Sequence, residues 1–252
     1  MRRFFVEKID AKQALFSITG SEAKHISRVL RMGPGDRFIL MDGEGARFLA
    51  LIESAGSREV RVFLEKPLPE PAPSPVEIIL CQALLKSRKM DYLIQKTSEL
   101  GVDCIIPFSS ERTVVRLKKE RLSGRIKHWR EIARSSAKQS DRAVPAQIEG
   151  LVPFNELVAK WKEEDALKIV LWEEEGSKDL KGVLRESTLQ KKFIGIVGPE
   201  GGFSRQEIEA AKDAGFVAAS LGNRILRSET AAITVVAVVQ YEWGDLSLFG
   251  RG

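Results

Sequence analysis

Every second residue from Lys66 to Pro75 is a proline: Pro67, Pro69, Pro71, Pro73 and Pro75. Each ring fixes φ and removes a backbone donor, so neither a helix interior nor a central strand can run through the stretch. It reads as an extended, semi-rigid linker over 67–75. The 252-residue chain must then fold as two parts, 1–66 before the linker and 76–252 after it.

The first part has the pattern of strands. Residues 58–65 alternate polar and apolar, as a half-buried strand does. Residues 38–41 and 48–52 flank Asp42-Gly43-Glu44-Gly45, a glycine-bearing hairpin signal. Ser21 is placed to cap a short helix running to Leu30, which the turn Met32-Gly33-Pro34-Gly35-Asp36 ends. A small β-barrel with one helix is expected.

The second part alternates strand and helix. Residues 76–80, 104–106, 168–172 and 193–197 are short apolar runs of the kind found in buried parallel strands. Met90, Leu93, Ile94, Thr97 and Leu100 mark a helix closed by Gly101. Ser204-Arg205-Gln206-Glu207 is a capping box opening a helix that ends near Gly215. A strand is expected over 217–221. Residues 230–243 are apolar on most sides and read as a buried helix, although the valines leave a strand open. The class is α/β with a mainly parallel sheet.

Composition removes several functions. The N-terminus is charged again at Glu7 and Lys8, so no signal peptide is expected. The most apolar stretch, 231–239, is far short of the ~18 residues of a membrane span. Two cysteines, Cys81 and Cys104, exclude a disulfide framework and suggest a reducing cytoplasm. His25 and His128 stand far apart with no ligand spacing, so no metal is expected.

Chemistry concentrates in two loops. The strand over 193–197 runs into Gly198-Pro199-Glu200-Gly201-Gly202-Phe203-Ser204, where three glycines and a proline shape the backbone. Glycine permits close approach of a ligand to the main chain, and loops at the carboxyl ends of parallel strands are where α/β proteins bind ligands. The dinucleotide spacing G-x-G-x-x-G is missing and no Gly-Lys-Ser/Thr follows, which argues against a dinucleotide or nucleoside-triphosphate site. The next strand likewise ends in Leu221-Gly222-Asn223-Arg224-Ile225-Leu226-Arg227-Ser228-Glu229-Thr230. Two loops in the same architectural position predict one cleft, with Arg224, Arg227 and Glu229 projecting into it or, more blandly, forming surface ion pairs.

The net charge of +5 is unevenly spread. Residues 112–142 hold eleven Lys or Arg and three Asp or Glu, a net of +8 in 31 residues. Leu122, Ile126, Trp129, Ala133 and Ala137 form an apolar helical stripe, with Lys127, Arg130, Arg134 and Lys138 on another face. Such a helix can be merely solvated, but its contrast with an acidic remainder favours a phosphate backbone as partner.

The two loops together resemble the signature of the RsmE-type 16S rRNA uridine N3-methyltransferases, SPOUT-class enzymes that use S-adenosylmethionine (SAM). Arg2-Arg3-Phe4-Phe5, the stretch Lys96-Thr97-Ser98-Glu99-Leu100-Gly101-Val102, and Gln139-Ser140-Asp141-Arg142 with Val144-Pro145 are similar too. The resemblance runs the full length, in order. It departs at Ser135-Ser136, where the family often carries an acidic residue followed by alanine. The Ser228-Glu229-Thr230 loop lacks the asparagine pattern of the ribose methyltransferases, which favours a base as target.

The resemblance implies a PUA-like barrel followed by a trefoil-knotted SPOUT domain, a homodimer in the cytoplasm, and a part in maturation of the small ribosomal subunit. It implies SAM held by Leu171, Gly198, Glu200, Gly201, Gly202, Leu221, Gly222, Ile225 and Leu226, with Thr230 and Ala231 closing the pocket. Arg227 is then the candidate to stabilise the uracil N3 anion, and Glu229 the candidate base, with Glu200 second. RNA contacts are expected from Arg2, Arg3, Arg28, Arg31, Arg134 and Arg142. A SPOUT enzyme with another RNA target would share the cofactor loops. A non-catalytic RNA-binding assembly factor would share the basic helix but would not need two glycine loops.

Overall fold

The structure, a computed structural model, describes residues 1–10, 13–69, 71–115 and 119–246. Arg116 and Lys118 of the basic segment and the end of the chain past 246 lie outside the described residues. The chain forms two compact units: Met1–Ala72 with Ala137–Pro145, and Pro73–Ser136 with Ala146–Gly252.

The first unit is built on β1 (Arg3–Phe5), β2 (Leu15–Thr19), β3 (Arg37–Met41), β4 (Arg47–Ala55) and β5 (Glu59–Pro67), in the order β1-β3-β4-β5-β2. β1 lies parallel to β3 and the remaining pairs are antiparallel. In β5, Val60 and Val62 are buried while Arg61 and Phe63 are exposed, the period-two pattern seen in the sequence. The β3–β4 turn is held by Asp42, whose carboxylate accepts from the amides of Glu44 and Ala46 at 2.9 and 3.0 Å.

Two expectations shift here. The helix α1 (Gly20–Lys24) starts from Thr19, which makes no side-chain cap bond, so Ser21 lies inside the helix and caps nothing. Thr19 is still paired with Glu59, so the chain turns directly out of the strand ladder; it then widens into a π-helical turn over His25–Val29. Pro67 closes β5 opposite Phe48 instead of opening the linker, because a strand's last residue gives up no needed donor.

Strand β3 is buried on both faces. Phe38 and Leu40 join Phe4, Ile18, Ile26, Val60 and Val62 in the main core of this unit. Ile39 and Met41 face the other way and pack with Phe5 and Ala137. The returning segment is pinned by Asp141, with φ +63°, whose carboxylate accepts from Arg3 Nε at 2.5 Å and Arg47 Nη2 at 2.6 Å. Arg47 is buried, and a buried cation persists only when it is paired in this way.

The second unit contains β6 (Glu77–Ala83), α2 (Ser87–Glu99), β7 (Cys104–Ser109), α3 (Lys119–Ser140, counted here up to Ser136), β8 (Gln147–Ile148), β9 (Val152–Pro153), α4 (Phe154–Lys160) and β10 (Leu167–Leu171). There follow α5 (Leu180–Glu186), β11 (Lys192–Val197), α6 (Arg205–Asp213), β12 (Val217–Ala219) and α7 (Ser228–Trp243). Its sheet runs β12-β10-β11-β6-β7-β8, with β9 also on β7, and every pairing is parallel.

Alternate strand residues feed two cores, which is why the strands read as unbroken apolar runs. Ile78, Leu80, Ile105 and Phe193 pack under α2, α5 and α7, with Trp129 and Ala133 of α3. Ile79, Cys81, Ile106, Ile194 and Ile196 pack under α4 and α6. Burial pushes the Cys81 thiol up, and burial followed by the Glu149 charge pushes Cys104 up to about 12, so both stay protonated and unreactive at neutral pH.

Helix α7 settles the open choice over 230–243. Ala232, Val235, Val236, Val239, Gln240 and Trp243 are buried at helical spacing. A valine costs a helix up to about 0.7 kcal/mol relative to alanine, whereas burying its side chain contributes about 1.5–3 kcal/mol. Packing therefore outweighs propensity. The buried Gln240 is satisfied by Ser74 Oγ at 3.1 Å and the Gly101 carbonyl at 3.1 Å.

Candidate active site

Strands β12, β10 and β11 are neighbours and parallel, so the loops leaving their carboxyl ends meet at one edge of the sheet. They enclose a cavity of about 860 Å³. That volume is in the range of small-molecule sites, about 300–1,000 Å³. Leu171, Gly198, Glu200, Gly202, Leu221, Gly222, Ile225, Leu226 and Ala231 all line it, as does Arg227.

Gly201, Thr230 and Glu229 are not in its wall. Gly201 backs onto Arg112, whose Nη1 donates to the Gly201 carbonyl at 3.2 Å. Thr230 is exposed at the start of α7.

The loop geometry follows from the residues the sequence supplies. Gly202 has φ +68°, and a Cβ there would collide with the Glu173 carboxylate. Ser204 and Glu207 form the reciprocal capping box, with Ser204 N donating to Glu207 Oε2 at 2.9 Å. Gly222 has φ +90° with open space around it, so its need is conformational.

Three contributors carried no readable signal. The loop after β10, from Trp172 through Asp179, forms a whole wall of the cavity. Gln82, fully buried at the end of β6, donates to Ser228 Oγ at 3.0 Å, and Ser228 in turn bonds the Gly198 carbonyl. This chain ties α7 to the first glycine loop. A lone amide in the run Ile78-Ile79-Leu80-Cys81-Gln82-Ala83 was the one available hint.

The third is Lys89, in the first turn of α2 and in the cavity wall. Its Nζ lies 3.0 Å from Glu200 Oε1 and 3.4 Å from Glu229 Oε2. The hydrogen bond to Glu200 raises the Lys89 pKa above its usual value; desolvation opposes this and the charges of both glutamates assist it. Burial, the largest influence on Glu200, pushes its carboxyl up, but the Lys89 hydrogen bond, a backbone amide and the Lys89 and Lys86 charges together hold it below the usual range. Glu229 is 9% exposed, and its Oε2 is buried without a hydrogen bond.

The RNA candidates fall in different settings. Arg28 and Arg31 are exposed at the end of the π turn, and Arg31 has φ +51°. Arg2 is exposed and donates to the Leu30 carbonyl at 3.3 Å. Arg3 is committed to Asp141. Arg134 and Arg142 are half-buried. Among the described residues, no group of three or more His, Cys, Asp or Glu could hold a metal, and no helix is long and apolar enough to cross a membrane.

Glycine-bearing loops at the carboxyl edge of this parallel sheet, in a chain that opens with a small PUA-like unit, define a methyltransferase of the SPOUT class. The family model "RNA methyltransferase domain" matches residues 72–240, and "RNA methyltransferase PUA domain" matches 18–65. Ribosomal RNA small subunit methyltransferase E of Bacillus subtilis is 30% identical over 250 residues, covering 96% of this chain and 97% of that one. The chain belongs to this family of ribosomal RNA small subunit methyltransferases.

Solved structures agree with that placement. A methyltransferase from Legionella pneumophila, solved with SAM, matches with a TM-score of 0.88 at 34% identity, over 97% of this chain and 98% of that one. The Neisseria gonorrhoeae small subunit methyltransferase E, bound to SAM, matches with a TM-score of 0.89 at 29% identity, over 98% of this chain and 100% of that one.

Proposed function

We propose that the protein methylates N3 of a uridine in 16S rRNA, uracil 1498 in rRNA numbering, using SAM, during maturation of the small ribosomal subunit. The observation that carries this reading is the single cavity where both glycine loops meet two cations, Arg227 and Lys89, the second held by Glu200. SAM supplies a methyl group on a cationic sulfonium that departs as a neutral thioether, chemistry that asks for alignment and no metal. Gly202 and Gly222 leave main-chain groups open to the cofactor, while Leu171, Leu226 and Ala231 offer the apolar surface that suits an adenine ring.

Uracil N3 carries a proton at neutral pH and must lose it to become a nucleophile. To Arg227, exposed at the N-cap position of α7 and in the cavity wall, we assign stabilisation of the anion. Glu229 stands behind Lys89, and we assign it the proton through one bridging water.

The direct test is nucleoside mass spectrometry of 16S rRNA from cells with and without the gene, followed by reaction of the purified protein with unmodified subunits. N3-methyluridine should vanish in the first and reappear in the second. A product methylated on ribose or on another base would overturn the reading.

For RNA binding we favour Arg2, Arg28 and Arg31 of the first unit and the exposed face of α3. Replacing Arg28 and Arg31 together by alanine should weaken RNA binding and reduce the slope of log K against log salt by up to about two units. SAM affinity should not change; an unaltered slope would remove both residues from the interface. We also propose a homodimer in the cytoplasm. Tyr92 of α2 and Tyr241 of α7, on two helices packed together, are 51% and 67% exposed, large side chains that a second copy would cover.

A further inference from the structure

We propose that Lys89 is a catalytic residue, its ammonium donating a hydrogen bond to a carbonyl oxygen of the target uracil so that the ring can carry the charge left when N3 loses its proton. This rests on the N3-uridine reading above. The geometry supporting it is specific to this side chain. An ammonium has three donors and no acceptor. One of them is taken by Glu200 at 3.0 Å and a second faces Glu229 at 3.4 Å. The third is left for the occupant of the cavity that Lys89 lines.

Lys89 is also the residue of the cavity wall that lies against Glu229, which is itself buried and absent from that wall. The consequence is electrostatic. When the N3–H bond breaks, the proton passes through water to Glu229 and the electron pair stays on the ring, shared among N3 and the two carbonyl oxygens. Negative charge therefore leaves one side of Lys89 and appears on another. The ammonium trades one anion for the next and keeps Glu200 throughout, so it needs little reorganisation. Lys89 does not itself act as a base, because its partners stabilise the charged form.

The experiment is single-turnover methylation of small-subunit RNA by Lys89→Met, with Lys89→Gln as a second neutral variant should the first fold poorly, and Lys89→Arg to keep the charge. Two substrates are compared: RNA with uridine at the target, and RNA with 5-fluorouridine there, whose N3 is more acidic. Both neutral variants should bind SAM as the wild type does and lose about 10²–10³ in rate on uridine at neutral pH. They should recover most of the loss on 5-fluorouridine or as pH rises, with Lys89→Arg intermediate.

A neutral variant within threefold of wild type would overturn the proposal. So would a loss equally large on both substrates, or a loss of SAM affinity, either of which would make Lys89 a structural or cofactor-positioning group. Wild-type protein that makes a product other than N3-methyluridine would end the N3 reading and this inference with it. Failure of Lys89 alone leaves the wild-type product unchanged, so the two failures are distinguishable.

Discussion

Gly202→Val should abolish measurable SAM binding while the protein remains folded. The backbone at Gly202 has φ +68°, where an L side chain costs about 1–2 kcal/mol. A Cβ there meets the Glu173 carboxylate, and the two valine methyls would occupy cavity volume. The Glu173 side chain can swing aside, but the left-handed backbone is relieved only by moving the loop, which displaces the main-chain groups offered to the cofactor. The strain falls in a loop outside the strand pairing, so thermal unfolding should shift less than affinity. Calorimetry that finds SAM binding within threefold of wild type would show that this loop does not hold the cofactor. Gly201→Val makes a useful contrast. Gly201 faces Arg112, where a Cβ would lie 3.3 Å from the Arg112 Cβ, so it should cost affinity less.

Arg227→Ala should lower single-turnover methylation by about 10²–10³, the effect of deleting one donor to a developing anion. Glu229→Gln should lower it by about 10²–10⁴ at neutral pH. The two are separated by pH. As pH rises, N3 ionises without help, so the Glu229 variant should regain activity and the Arg227 variant should regain less. SAM affinity should hold in both. Near-wild-type rates in both would dissolve this assignment, and lost SAM binding in either would move that residue into the cofactor site.

The same pH scan has built-in limits. Glu200 is held ionised below its usual range, so its pair with Lys89 fails only as pH falls through that lowered value. Lys89 is raised, so the pair persists until pH climbs beyond the ordinary lysine value of about 10.4. The Lys89–Glu200 pair is thus intact across the neutral range, so changes in rate there do not come from its loss.

What could be read in advance was what local chemistry dictates. Gly198 to Ser204 announced both a loop and a capping box, because glycine freedom and the Ser–Glu cap act within a few residues. The apolar runs at 193–197 and 168–172 gave parallel strands for the same reason. Lys89 could not be read, since its role arises only when α2 brings it against Glu200 and Glu229, residues 111 and 140 positions away in sequence. The wall from Trp172 to Asp179 was equally silent, being polar and without a spacing that any motif requires. Asp141 was visible as part of a resemblance, but its carboxylate between Arg3 and Arg47 was not. Long-range ion pairs leave no periodicity behind them.

The segment 137–145 gives the first unit a property that the proline stretch alone conceals. That unit is assembled from two separate pieces of chain, so a single cut near the prolines yields no complete copy of it. A gene fragment ending there would lack Ala137 and Asp141, leaving Ile39 and Met41 with only part of their cover and Arg47 without its carboxylate. Such a module is not a contiguous cassette: its fold is completed by chain that belongs to the far side of the linker.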